Sequence, residues 1–304
     1  MKDLLLELVE KNRKFTSEGK VANYIPELDK ANKNALGIFV TTVDNKEYFA
    51  GDYNSKFTIQ SISKIISLML ALLDNGEEYV FSKVGMEPTG DPFNSIRKLE
   101  TSSKKKPYNP MINAGAIAVA SMIKGKDERD KFGRLLEFAK LITEDNSLDL
   151  NYKIFCGEAE TGFRNVSMGY FLKGEGIIEG DVDDALRIYF KQCSIEGTAQ
   201  TISKLAKFLA NDGILTNGKR IISTRTAKII KSLMVTCGMY DSSGEFAVRV
   251  GVPSKSGVGG GICSVVPSKM GIGVYGPALD IKGNSLAGGH LLEDLSKELS
   301  LNIF

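Results

Sequence analysis

Phe57-Thr58-Ile59-Gln60-Ser61-Ile62-Ser63-Lys64 and the apolar run after it, Ile65-Ile66-Ser67-Leu68-Met69-Leu70-Ala71-Leu72-Leu73, decide the fold of this chain. A β-branched and aromatic lead-in, a polar pair and then apolar residues predict an extended segment running into a buried helix. Asp74-Asn75-Gly76 ends it, because glycine accepts the left-handed conformation beyond a helix C-terminus. Ser61 falls in the first turn, where the unpaired amides of the helix N-terminus favour negative charge. Lys64, three residues on, projects from the same face. An ammonium carried into an apolar helix loses its hydration, so the neutral amine gains ground and can take the Ser61 proton. The stretch predicts a serine nucleophile with a lysine base. A helix cap beside a snorkelling lysine is the purely structural alternative.

Spacing alone does not select Ser61, because Ser-x-x-Lys also starts at Ser17, Ser95, Ser102, Ser103 and Ser121. Those five lie in charged or loop-like surroundings or at a helix terminus, where water keeps the lysine protonated. Context selects Ser61.

At 304 residues the chain is long enough for one large domain or two interleaved ones. With 42% hydrophobic and 25% charged residues it has the composition of a soluble globular protein. Lys+Arg 39 against Asp+Glu 37 leaves a net charge of +2, which supplies no general field for nucleic acid or an anionic membrane. Lys104-Lys105-Lys106 is the local basic cluster and reads as a solvated loop, with a phosphate site as the alternative. Cys156, Cys193, Cys237 and Cys263 form no C-x-x-C pair, so neither zinc nor a disulfide framework is indicated and a reducing cytoplasm is expected. The start, Met1 to Leu8, is amphipathic rather than a signal peptide, and Ile65 to Leu73 is too short to span a bilayer. The one histidine, His290, follows Gly288-Gly289 and opens an amphipathic terminal helix, the position of a surface side chain. A multi-histidine metal centre is thereby excluded, and any further acid or base must be Lys, Tyr, Glu or Asp.

Residues 1 to 35 read as helical with a break at Tyr24-Ile25-Pro26. Gly37 to Val43 and Lys46 to Gly51 read as two strands about Asp44-Asn45. Helical patterns follow at Ala114 to Ile123, Asp130 to Thr143, Asp183 to Phe190, Thr198 to Leu209, and from a Ser223 cap to about Thr236. Gly244 to Gly251, Gly261 to Val266 and Met270 to Tyr275 look like short strands, and His290 to Leu301 like a closing helix. Strands at both ends with helices between them predict an α+β fold. Its antiparallel sheet comes from residues 1–60 and 214–304, and a helical subdomain, 61–213, carries the nucleophile. Gly213 to Arg220 imitates a phosphate-binding loop, but Arg220 stands where Ser or Thr must hold magnesium and no strand precedes it. Ser256 to Gly261 does not complete a dinucleotide fingerprint.

Lys255-Ser256-Gly257 gives the Ser61 reading its independent support. In penicillin-recognising serine enzymes such a triplet lies on a strand opposite the Ser-x-x-Lys helix. The glycines from Gly257 to Gly261 allow close backbone approach, although a bulged strand would also use them. With Gln60-Ser61-x-x-Lys64, Asn109 to Ile117, Arg164-Asn165, Tyr189-Phe190-x-x-Cys193-Ser194-Ile195-Glu196, Cys237 to Gly244, Lys255 to Val258 and Leu279-Asp280-x-x-Gly283-Asn284-Ser285, the chain resembles the serine-dependent glutaminase family from about Tyr24 to its C-terminus. The resemblance implies a β-lactamase/transpeptidase-like fold, hydrolysis of L-glutamine to L-glutamate and ammonia, no metal or organic cofactor, and a homo-oligomer, dimer or tetramer. It implies Ser61 as nucleophile, Lys64 as proton acceptor, Tyr240 as proton partner, and the amides of Ser61 and Val258 as oxyanion hole. Tyr24, Asn113, Glu158, Asn165 and Tyr189 would line the substrate pocket, with Glu158 on the ammonium, Asn113, Asn165 and Tyr24 on the carboxylate, and Tyr189 and Tyr240 beside the amide. Cys156-Gly157 precede Glu158 where related enzymes carry a Ser-Glu pair. A penicillin-recognising hydrolase or transpeptidase, or a non-catalytic scaffold, would be the other readings of the same pattern.

Overall fold

The computed structural model describes residues 1–90, 92, 94–101 and 105–304, so Ser102, Ser103 and Lys104 lie outside the described residues. The chain opens with α1 (Lys2–Arg13). The hairpin β1 (Gly37–Thr42) and β2 (Glu47–Gly51) follows, closed by Asn45 in the left-handed region, which asparagine tolerates. β3 (Phe57–Thr58) leads through a 3-10 turn at Gln60–Ile62 into α2 (Ser63–Lys83). Gly76, at φ 80 and ψ 165, breaks the helical path of α2 where the sequence places the C-cap. The middle of the chain holds α3 (Arg97–Thr101), α4 (Asn113–Ser121), α5 (Glu128–Thr143), β4 (Asp149–Leu150), α6 (Tyr152–Thr161), α7 (Phe163–Gly174), α8 (Val182–Cys193), β5 (Ile195–Gly197) and α9 (Ala199–Ala210). The C-terminal part holds α10 (Thr224–Cys237), α11 (Ser243–Arg249), β6 (Ser254–Gly257), β7 (Gly261–Val266), β8 (Met270–Tyr275) and α12 (Leu286–Leu299).

The main sheet has the order β2-β1-β8-β7-β6 and is antiparallel throughout. Its period-two alternation sorts side chains to two cores. Ile38, Val40, Ile262, Ile272 and Val274 face one side, where Leu5, Leu8 and Val9 of α1 and Leu291, Leu292 and Leu295 of α12 cover them. Phe39, Cys263, Val265 and Tyr275 face the other, toward α9 and the helical bundle. On that second face β8 contributes Gly271 and Gly273. A Cβ on Gly271 would stand 2.1 Å from Lys207 N, and one on Gly273 would stand 2.0 Å from Ala199 O. The missing side chains let α9, part of the segment expected to be a helical subdomain, lie directly on the sheet. A second sheet, β3-β5-β4, ties the lead-in to the nucleophile to the end of α8.

Three expectations need correction. Gly244 to Gly251 is not a strand but forms α11. Phe246 and Val250, four residues apart, both pack on the α1–α12 core, while Val248, which an alternating strand would turn the same way, is 80% exposed. The third C-terminal strand is instead β6. Residues 1 to 35 hold a helix only to Arg13, then 3-10 turns at Lys14–Ser17 and Leu28–Lys30. The last helix starts at Leu286, capped by Ser285, so His290 lies in its second turn, stacked at 4.0 Å on Phe15.

Gly273→Ala should destabilise the chain by about 1–3 kcal/mol through overpacking. Gly180→Ala, where an added Cβ meets nothing within 4 Å, should not; urea denaturation midpoints distinguish the two.

Candidate active site

Ser61 sits in the 3-10 turn at the head of α2, 6% exposed. The preceding Gln60 has φ 46, a strained value for a residue with a side chain. Against this turn lies the backbone of residues 257–259. A Cβ on Gly257 would be 2.7 Å from Ile59 O and 3.4 Å from Ser61 N, and one on Gly259 would be 2.2 Å from Thr58 O. Two glycines thus bring the β6 end and Val258 main chain to main chain with the nucleophile, as the Lys255-Ser256-Gly257 triplet predicts.

Lys64 is 1% exposed, its Nζ donating to Met111 O at 3.1 Å and Asn113 Oδ1 at 2.7 Å. Desolvation lowers its pKa to about 8, opposed by the charges of Cys193 and Glu158. The Asn113 amide is used at both ends, since its Nδ2 donates to Asn165 Oδ1 at 3.0 Å. A Cβ on Gly115 would come within 1.9 Å of Asn109 O, so the Asn109–Ile112 loop folds tightly over the start of α4 and delivers the Met111 carbonyl to the amine.

Tyr240 adopts φ 54 in a 3-10 turn between α10 and α11. Its phenol hydrogen-bonds Ser61 and donates to Ser256 O at 3.2 Å. Burial raises the phenol pKa, so the hydroxyl stays protonated at neutral pH. Lys255, 0% exposed, was not among the sequence-expected site side chains. Its Nζ donates to Gly238 O at 3.1 Å and Ser256 O at 2.6 Å and lies 4.5 Å from the Tyr240 ring centre. Desolvation, then the charge of Lys64, holds its pKa well below the usual ammonium value. Its signal was a lysine flanked by apolar and small residues from Val252 to Gly257.

Tyr24, Ser61, Asn113, Glu158, Asn165, Tyr189 and Val258 all line one cavity of about 320 Å³; Lys64 and Tyr240 are not part of its wall, and Tyr240 instead lines a small neighbouring cavity of about 30 Å³. A larger cavity of about 560 Å³ shares Val258 but holds neither Ser61 nor Lys64. Glu158 is 6% exposed. Desolvation raises its pKa, against hydrogen bonds from Tyr24 and Gln60 and the charge of Lys64. The Tyr24 hydroxyl donates to Glu158 Oε1 at 2.9 Å, so it serves the carboxylate wall; the ring itself is 46% exposed at the rim. Gly157, where a Cβ would meet Ile25 Cγ2 at 2.6 Å, lets α6 press against the Tyr24 segment. Gln60, Arg164 and Cys193, which the sequence reading named as motif residues without a site role, line the same cavity.

A sequence model of the family described as Glutaminase matches residues 19–304. The chain belongs to the glutaminase family. It is 85% identical over 304 residues, all of both chains, to a glutaminase of Fusobacterium nucleatum subsp. nucleatum, and 56% identical over 305 to glutaminase 2 of Clostridium perfringens, again covering all of both. Among solved structures, a probable glutaminase of Bacillus subtilis superposes with a TM-score of 0.94 at 41% identity, covering 100% of this chain and 97% of that one. A Bacillus subtilis glutaminase in covalent complex with 5-oxo-L-norleucine, formed by reaction with 6-diazo-5-oxo-L-norleucine, gives 0.91 at 40% identity over 100% and 99%. The family shares the β-lactamase-like fold described above.

Cys193 lines the Ser61 cavity, yet burial pushes its thiol up to about 12. At pH 8 its thiolate fraction is on the order of one in ten thousand. Iodoacetamide on the native chain should therefore alkylate the partly exposed Cys156 and spare Cys193 until denaturant is added, as read by peptide mass spectrometry.

Proposed function

We propose that Ser61 hydrolyses the side-chain amide of L-glutamine through a γ-glutamyl ester, giving L-glutamate and ammonia. The observation that carries the reading is the pair of acceptors on Lys64. Met111 O and Asn113 Oδ1 can take up both N–H groups of an uncharged amine, and in this reading its remaining lone pair accepts the proton of Ser61, three residues earlier on the same helix face. With a pKa of about 8, roughly a tenth of the amine is neutral at pH 7. As Ser61 Oγ attacks the amide carbon, its proton passes to Lys64 and the oxyanion forms between the amides of Ser61 and Val258. Losing one such donor typically costs ~3 kcal/mol of transition-state stabilisation. The proton moves on, from Lys64 or through the protonated Tyr240 phenol, to the leaving nitrogen, and ammonia departs. Water then attacks the ester by the same route, restoring the Ser61 hydroxyl and releasing glutamate.

Glu158, held by the Tyr24 hydroxyl, binds the substrate ammonium; Asn165, with Asn113 beside it, faces the α-carboxylate, and Tyr189 flanks the amide. Lys255 orients Tyr240 from behind its ring. The covalent 5-oxo-L-norleucine complex of the Bacillus subtilis relative supports a nucleophilic mechanism. The same reading places the enzyme in the cytoplasm, supported by four free cysteines, and as a homo-oligomer, dimer or tetramer, supported by Phe163 and Tyr152 at 76% and 67% exposure. Among the described residues no helix is long and apolar enough to cross a membrane.

Incubation with 6-diazo-5-oxo-L-norleucine should label Ser61; a label on another residue would overturn the assignment. Glutamate production should rise about tenfold per pH unit up to a limb near 8, because the depressed Lys64 pKa makes the active amine the majority form only above it. Lys64→Arg, unable to shed its proton, should retain less than about a thousandth of the rate. A flat profile from pH 6 to 9 would remove Lys64 as the base.

A further inference from the structure

The Leu279-Asp280-x-x-Gly283-Asn284-Ser285 motif takes no part in the Ser61 cavity. It forms the loop into α12, held by Asp280 Oδ1, which accepts the backbone N–H groups of Lys282 and Asn284 at 2.8 and 2.9 Å. Asn284 is 5% exposed, and neither its side-chain oxygen nor its nitrogen has a hydrogen-bond partner. A buried carboxamide without partners is destabilising and rare in folded proteins, so its presence calls for a complement. It lines a cavity of about 120 Å³ between α11 and the first turns of α12.

The walls define what fits. An amide with both ends free asks for an adjacent donor and acceptor, which another carboxamide supplies. Three carboxylates, Glu245, Asp280 and Glu293, also face the cavity. Arg249, the guanidinium among them, is already paired with Glu245 at 3.1 Å and Glu293 at 3.6 Å. Glu293 also pairs with Lys297 at 2.8 Å, so two cations face three carboxylates and one negative charge remains in excess, which favours a cationic group on the occupant.

The cavity also reaches the catalytic turn. Met239 and Ser242, on either side of Tyr240-Asp241, form part of its wall. Ser243 Oγ holds that turn by donating to Tyr240 O at 2.9 Å and accepting the Met239 N–H at 3.1 Å. Met239 thus adjoins, in the chain, a residue already held in the left-handed region.

We propose that this cavity is a second small-molecule site, for a primary amine that carries a carboxamide, and that its occupancy adjusts catalysis through the Tyr240 turn. The binding half stands alone; the coupling half rests on the function assigned to Tyr240 above. Glutamine carries both groups, so the ligand class includes the substrate.

The test uses the full chain with 13C-methyl-labelled methionine, the Met239 resonance being the one lost in Met239→Leu. Glycinamide is the probe, with propionamide and ethylamine as controls that each lack one group. Glycinamide should shift the Met239 methyl saturably, at concentrations at least tenfold below either control, and change glutamate production from glutamine at least twofold. Asn284→Ala should raise the saturating concentration at least tenfold. In Gly289→Leu the new side chain grows from a helical position on the cavity wall where a Cβ meets nothing within 4 Å. That variant should keep Ser61 labelling while losing both the methyl shift and the rate change on adding glycinamide. A shift that never saturates, or one that survives Gly289→Leu, overturns the site. Saturable binding with no change in rate overturns the coupling. Absence of Ser61 labelling in the unmodified chain would count instead against the proposed hydrolysis, which the methyl titration does not depend on.

Discussion

A lysine amine held out of water is the constraint around which the rest of the molecule is arranged. Lowering the Lys64 pKa from 10.5 to about 8 amounts to roughly 3 kcal/mol of differential stabilisation between its two protonation states. That is a sizeable fraction of the net stability of a typical domain. The surrounding structure tolerates it because the first half of α2 is buried from Ser63 to Leu72 and mostly apolar, and α4, Asn113-Ala114-Gly115-Ala116-Ile117-Ala118-Val119-Ala120, is rich in small residues that pack closely against it. Among these apolar surfaces the amine meets two oriented carbonyl oxygens. A charged lysine in the same place would need a third acceptor or a carboxylate. Glu158 stands near enough to oppose the shift but is occupied with Tyr24 and Gln60.

The second constraint is backbone proximity. The oxyanion hole proposed above uses main-chain amides from two separate segments, fixed before the charge develops. Gly257 and Gly259 make that possible against Thr58 to Ser61, while Gly238, where a Cβ would lie 1.8 Å from Ser254 O, does the same for the Tyr240 turn. Strain concentrates at the two residues flanking these contacts, Gln60 and Tyr240, both with positive φ. Their neighbours hold them there, which fixes the direction in which the Ser61 hydroxyl and the phenol point.

Strong local patterns made much of this legible in the sequence. The β1–β2 hairpin, β7, β8, the capped α10 and the nucleophile helix each announce themselves by alternation, an apolar run or a cap residue. The same logic misled at α11, where Phe246, Val248 and Val250 alternate as in a strand yet two of them satisfy helical spacing on a core the sequence does not display. α6 and α7 escaped because Tyr152, Phe163 and Tyr170 put aromatic rings on their exposed faces and blur the amphipathic signal. For the site, Ser61 and Lys64 were readable from local chemistry. Tyr24, Glu158 and Tyr240 were not, since their roles arise from contacts across long stretches of chain; only likeness to a family could indicate them. Lys255 shows the limit most clearly: the triplet it begins suggested a backbone function, and its side chain proves to be one of the largest fully buried groups in the molecule.

The placement of β1 against β8 has a further consequence for how this protein is made. The central strand pair joins Gly37–Thr42 to Met270–Tyr275, segments separated by most of the polypeptide, and β6 hydrogen-bonds to this sheet only through β7. During synthesis the N-terminal hairpin must wait, with one edge unpaired, until the last tenth or so of the sequence leaves the ribosome, a topology that delays folding and exposes nascent strands to aggregation. A product terminated before Val258 would carry the Ser61 segment without the strand proposed to complete its oxyanion hole, and one terminated before Met270 would lack the strand on which β1 pairs.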